Sequence, residues 1–263
     1  MEKNIKNENN KLDIQKIINN KNEAITALNE YLDKCIIEDN SKKKKCNLLS
    51  YWLKDYIKYL EQEKTFNSAY LKEYKCGDII KANLGFNVGN EEGGLHYCVV
   101  LDKKNAKSYS TLTVIPLSSV KSTTKIHKTS VLLENEIYSK LFDKASNLIK
   151  DTKAELSKLE QEASTIDFLP EDTEENSIIK SFKRRQIDEK MEETKHKTEL
   201  IEKICNELNQ MKTGTVALVN QITTISKQRI YDPKHDFDIL AGIQLSSNSM
   251  EKIYEKIKKL YAN

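Results

Sequence analysis

Two kinds of sequence alternate along this chain, and one of them is interrupted by the other. Residues 76–136 and 213–246 share a strand-like character, with short apolar or β-branched runs separated by Gly, Asn and Ser. Between them, residues 137–212 repeat apolar side chains at steps of three and four, the period of an amphipathic helix. Two separate β pieces of about 60 and about 35 residues would each bury too little surface to hold a core. The economical solution is one β unit with a helical hairpin inserted at a loop. Such an insertion costs little when the ends of the loop lie close together.

The strand candidates are short. "GDIIKANLGF" gives one strand and a turn, and "LHYCVVLD" is a continuous apolar run that predicts burial on both faces. "STLTVIPLSS" is rich in β-branched residues, and "TSVLLE" closes the first half. After the insertion "TGTVALVNQITTISKQRI" resumes the strand pattern, with Val216 and Leu218 alternating against Ala217 and Val219.

Helical periods occupy the rest. Ile17, Ile18, Ile25, Leu28, Leu32 and Cys35 predict a helix over 11–38, which "EDNSKKKKC" is expected to break. Leu49, Trp52, Leu53, Tyr56, Tyr59 and Leu60 predict a second over 46–64. In the insertion, Leu141, Ala145, Leu148, Thr152, Leu156, Leu159 and Ala163 form one stripe. Ile179, Phe182, Ile187, Met191, Thr194, Thr198, Ile201, Cys205 and Leu208 form the other. An acidic stretch with Pro170 separates them, so an antiparallel hairpin with an imperfect coiled-coil seam is expected. A last helix over 247–262 carries Met250, Ile253, Ile257 and Leu260 on one face, with Ser247 or Asn248 as cap.

With 7 Gly, 3 Pro and 32% charged residues, the composition favours long helices. The formal charge of +3 does not by itself imply a nucleic-acid partner. The insertion carries 17 acids against 14 bases, whereas the flanking segments are mildly basic, which is compatible with an RNA-facing β unit. Five scattered cysteines without CxxC spacing predict neither a zinc site nor a disulfide framework, and no metal or other cofactor is expected. "MEKNIKNENNK" lacks an apolar signal region and no run approaches the length of a membrane span. A cytoplasmic protein without a membrane partner is the expectation.

Joined across the insertion, Gly77–Ser119 and Gly214–Ile230 resemble the MazF/PemK-type toxins of bacterial type II toxin–antitoxin systems. Four stretches carry the resemblance. They are Gly77-Asp78, the loop Gly89-Asn90-Glu91-Glu92-Gly93-Gly94, the strand Thr113 to Ser118, and Gln221 to Arg229. Residues 1–75 and the inserted hairpin lie outside it. The resemblance implies an α+β fold. Its centre would be a small SH3-like, PemK-type β-barrel in two parts, 76–136 and 213–263, the second ending in the C-terminal helix. An N-terminal helical hairpin (1–75) and the inserted coiled-coil hairpin (137–212) would be additions.

It also implies metal-independent cleavage of single-stranded RNA, in which the ribose 2′-hydroxyl attacks the adjacent phosphorus. Such a site needs a base for that hydroxyl, an acid for the leaving 5′-oxygen and donors for the phosphorane charge. Where the family has Arg then Pro after the glycine pair, this chain has His96 then Tyr97. Histidine titrates near neutrality and can take either proton-transfer role, which arginine cannot. Ser118 stands where the family places a hydroxyl on the scissile phosphate. Those two are the catalytic candidates. Asn90, Glu91, Gly93 and Gly94, from the loop, and Gln221 and Arg229 are the substrate-binding candidates. The glycines suit a loop whose backbone approaches RNA.

Leu218, Asn220 and Thr223 replace charged family residues. The expected partners are single-stranded RNA, a cognate antitoxin and a second copy of the chain. The alternative is a non-catalytic interaction module on the same fold, like the gyrase-poisoning toxins, because fold does not fix function.

Overall fold

The computed structural model describes residues 13–38, 40–120, 126–168, 173–212 and 214–262, so Pro170 and the first two residues of the expected 11–38 helix fall outside the described residues. The chain divides into two compact units, Met1–Gln62 and Glu63–Asn263.

The first unit is a pair of helices, α1 (Ile14–Ile37) and α2 (Asn40–Gln62). Asp13 caps α1 by accepting from the amides of Gln15 and Lys16. Cys35 and Cys46 are buried in the pair, and the Cys46 thiol donates to the Leu32 carbonyl at 3.8 Å. Lys42 to Lys45, expected to break the pattern, lie inside α2. Unbranched lysine side chains lose little freedom in a helix, and Lys42 reaches back to an ion pair with Glu38. Ile17, Ile18, Ile25, Tyr56 and Leu60 remain exposed.

The second unit is an α+β assembly. Its strands are β1 (Ile79–Asn83), β2 (Leu95–Val100), β3 (Thr111–Ser119), β4 (Ser130–Glu134), β5 (Thr215–Leu218), β6 (Thr223–Ser226) and β7 (Ile230–Asp232). Its helices are α3 (Glu136–Asp167), α4 (Glu174–Gln210) and α5 (Ser247–Tyr261). The strands run in the order β4-β5-β3-β2-β1-β7, with β6 also on β3, and every pairing is antiparallel. A closed barrel was expected. The sheet is open instead, with no ladder joining β4 to β7 among the described residues. β7 is only 3 residues long, and Pro233, which follows it, has no N–H to extend a ladder.

Both faces of the sheet are buried. Ile79, Val99, Ile115 and Leu117 meet Leu141 of α3, Ile204 and Leu208 of α4 and Ile253 of α5. Ile80, Cys98, Val100 and Leu112 turn the other way, onto Leu71, Tyr74, Ile225 and Ile230. Alternating residues therefore serve two cores, which is why the β2 sequence reads as a continuous apolar run.

The two helices of the insertion are antiparallel. Lys190 pairs with Glu162 at 3.1 Å and Lys197 with Glu155 at 2.6 Å, so partners advance along α4 as they retreat along α3. Leu141, Ala145, Thr152, Leu159, Thr194, Ile204 and Leu208 are buried. Ile179, Phe182 and Met191, expected in the seam, are exposed. Thr194 satisfies its hydroxyl on the Lys190 carbonyl at 2.8 Å.

Glu136, the first residue of α3, holds the start of α5. It accepts from the Ser246 amide and the Ser249 hydroxyl, each at 2.5 Å. Burial alone would raise its carboxyl. The hydrogen bonds from Ser249, Ser246 and Lys140 outweigh that and hold it below the usual carboxylate range.

Candidate functional site

The site begins where two strands part. β2 and β3 pair at Cys98↔Pro116, Val99↔Ile115 and Val100↔Val114. From Leu117 onward the ladder of β3 is with β5 on its opposite edge, at Leu117↔Ala217, Ser118↔Val216 and Ser119↔Thr215. Leu95–Tyr97 and Leu117–Ser119 are left as the walls of an open cleft of about 300 Å³. His96 lines one wall and Ser118 the other, so the two catalytic candidates share one opening.

His96 is half-buried. Its Nδ1 lies 3.3 Å from the Leu117 carbonyl oxygen, and its Nε2 lies 3.5 Å from Glu92 Oε2. Both neighbours are acceptors. A neutral imidazole has one N–H and can satisfy one of them, whereas the imidazolium satisfies both. Glu92 was not singled out from the sequence, although its place four residues before His96 was visible.

The loop between β1 and β2 is pinned at its base. Leu84 N donates to the Gly94 carbonyl at 2.7 Å, and Gly94 N to the Gly85 carbonyl at 2.6 Å. A Cβ on Gly93 would meet the Gly85 oxygen at 2.8 Å, so the close approach of the two loop ends requires glycine. Gly94 has a φ of +84°, in the left-handed region. Asn90 and Glu91 are exposed, and Glu91 Oε2 accepts from the Val88 amide at 3.3 Å.

Gln221 reaches this loop from the 3-10 turn between β5 and β6. Its Nε2 donates to the Asn90 carbonyl at 3.1 Å, and its Oε1 accepts from the Glu92 amide at 3.4 Å. Glu91, Glu92, Gln221 and Arg229 line a second groove of about 460 Å³. Arg229 Nε donates to the Asn83 carbonyl at 2.8 Å. Of the sequence candidates, His96 and Ser118 line the cleft, Glu91, Gln221 and Arg229 line the groove, and Asn90, Gly93 and Gly94 line neither. Glu92 touches both sets.

On the helix-covered face, in the wall of the same cleft, stands a polar trio. Lys81 and Tyr97 are opposite each other in the β1–β2 ladder, and the ammonium sits 5.2 Å from the ring centroid. Lys81 Nζ donates to Glu207 Oε1 at 2.6 Å, and the Tyr97 hydroxyl donates to the same oxygen. Glu207 belongs to α4, in the insertion. Burial, and then the bond to Glu207, push the Tyr97 phenol well above its ordinary value and keep it a donor.

Cys98 lies in the core on the other face, where burial pushes its thiol up to about 12 and keeps it protonated at neutral pH. No group of His, Cys, Asp and Glu able to hold a metal occurs among the described residues. No helix there is long and apolar enough to cross a membrane.

Residues 75–161 match the family model described as PemK-like, MazF-like toxin of type II toxin-antitoxin system. This part of the chain matches the PemK/MazF toxin family. The PemK-like segment takes in β1 to β4 and most of α3, and with them the loop, His96 and Ser118. It stops short of Gln221 and Arg229. No curated protein matches the chain.

Proposed function

We propose that this protein is the toxin of a type II toxin–antitoxin system and cleaves single-stranded RNA without a metal. The observation that carries this reading is the placement of His96 and Ser118 on facing walls of the cleft between β2 and β3. The RNA 2′-hydroxyl attacks its neighbouring phosphorus, a 2′,3′-cyclic phosphate forms, and the 5′-oxygen leaves. The imidazolium of His96 protonates that oxygen, and the Glu92 carboxylate beside it takes the proton of the attacking hydroxyl. The Ser118 hydroxyl donates to a phosphoryl oxygen. The Asn90–Gly94 loop, Gln221 and Arg229 guide the strand along the adjoining groove, where unstacked bases are accessible.

In this reading the open sheet is the PemK-type, SH3-like barrel left unclosed between β4 and β7, and α3–α4 is an antiparallel coiled coil. A second copy of the chain and a cognate antitoxin complete the system in the cytoplasm.

The test is incubation of the purified chain with a long unstructured RNA in EDTA. Discrete fragments with 2′,3′-cyclic ends are expected, and intact RNA would reject the reading. His96 and Thr223 stand where the family carries arginine, and this loss of cationic groups favours a second reading, a non-catalytic binding module like the gyrase poisons. Intact RNA in that same assay is its signature.

A further inference from the structure

Lys81 and Glu207 form a charge pair with side chains only 19% and 15% exposed, yet both line the cleft that holds His96 and Ser118. Lysine is among the residues least often placed on a core-facing strand position. Lys81 nonetheless shares the helix-covered face with buried Ile79, and Tyr97 shares it with buried Val99. Two donors thus converge on one anionic oxygen at the cleft wall. The oxygen they hold comes from the insertion, 126 positions away in sequence. An ammonium and a phenol aimed at one point are the donor set a non-bridging phosphate oxygen takes.

We infer that Lys81 and Tyr97 form a phosphate-binding subsite of the cleft, and that Glu207 of α4 occupies this subsite until RNA displaces it. The inference rests on the reading of this cleft as an RNA site. The Glu207 carboxylate stands in for a phosphate oxygen, carries the same sign of charge and competes for the same two donors. The insertion is then a built-in competitor. It lowers affinity for RNA without touching His96 or Ser118.

The test is equilibrium binding of the full chain to a fluorescent single-stranded oligoribonucleotide with 2′-O-methyl groups, which has no nucleophilic hydroxyl and reports binding alone. Glu207→Gln should bind about tenfold tighter, and Lys81→Met about tenfold more weakly. In Lys81→Met the slope of log affinity against log salt should also shrink by about 0.7, for one lost phosphate contact. A merely structural ion pair predicts the same sign for both variants, because each leaves a buried partner unpaired. Equal affinities, or losses in both, overturn the inference. Should Glu207→Gln not fold, Glu207→Asp keeps the charge and draws it back from Lys81. Tighter binding by that variant supports the inference, and unchanged or weaker binding overturns it. Wild-type protein that fails to bind the probe also overturns it. Opposite effects in the two variants with natural RNA left uncut keep the subsite and remove the nuclease reading. RNA cleavage with binding unaffected in both variants does the reverse.

Discussion

Gln221 and Asn90 are 131 positions apart in sequence, and the Gln221 side-chain amide donates to the Asn90 carbonyl at 3.1 Å. The same amide accepts from Glu92, so one side chain sets the position of the loop that leads into His96. A binding candidate from one half of the sheet thus orders the binding candidates of the other.

Replacing Gln221 with alanine removes both bonds. Each is worth about 0.5–1.5 kcal/mol in net terms. Hydrogen exchange of amides 86–94 should quicken, with those of β2 and β3 unchanged. Exchange that stays slow in the loop would show that the glycine-pinned base holds it without Gln221.

Gly93→Ala places a Cβ 2.8 Å from the Gly85 oxygen and 3.3 Å from the Asn87 amide. Neither contact can relax by a side-chain rotation, because both involve backbone. A loss of about 1–3 kcal/mol is expected, read as a lower urea midpoint.

His96→Ala should slow RNA cleavage by about 10²–10⁴, the usual contribution of a positioned proton-transfer group. His96→Gln separates the roles, since an amide keeps a donor for the Leu117 carbonyl but transfers no proton. It should cleave as slowly as the alanine variant, and a rate near wild type would make His96 a positioning residue. Ser118→Ala should cost about 10²–10³. All three are measured by counting 2′,3′-cyclic ends in EDTA.

Glu136 gives a pH-dependent tie between α3 and α5. Its carboxyl is held below its ordinary value in the folded chain, so the unfolded chain binds more protons in the acid range. The stabilisation is present above the unfolded value of about 4.5 and is lost as pH falls through the lower folded value. Glu136→Gln should lower the urea midpoint at pH 7 and flatten its decline below pH 5. Parallel curves for variant and wild type would place the acid sensitivity elsewhere.

Much of this architecture was legible from local chemistry. β2 was visible because Cys98, Val99 and Val100 each point into a core, and the insertion because its apolar period changes at β4 and again at β5. The α3–α4 seam was legible near the sheet, at Leu141 and Leu208. It was misleading at the far end, where Ile179 and Phe182 have the right spacing and stay exposed. Periodicity identifies a face but not whether anything covers it. Lys42 to Lys45 mislead in the opposite direction, because a run of charge interrupts the apolar period without interrupting a helix that lysine suits well. The open sheet could not be foreseen either, since whether a sheet closes depends on which edges meet.

At the site, His96, Ser118 and the loop glycines stood out through the resemblance to the MazF/PemK-type toxins. Glu207 did not. It lies three residues after Ile204 and one before Leu208, on a face that both bury, and an acid there was the available sign of a partner such as Lys81. Its partner could be found only once α4 was laid against the sheet.

β4 and β5 are hydrogen-bonded neighbours, and Glu134 stands opposite Thr215. The chain therefore departs into α3 and comes back from α4 at the spacing of a single ladder rung. Topologically the pair of helices is an overgrown hairpin turn. Its length is under no geometric demand from the strands, so whole helical turns can be gained or lost at its far end with the register intact. Only the turns nearest the strands, those carrying Leu141, Ile204 and Leu208, are needed to cover the sheet, and the turns beyond them are free to vary.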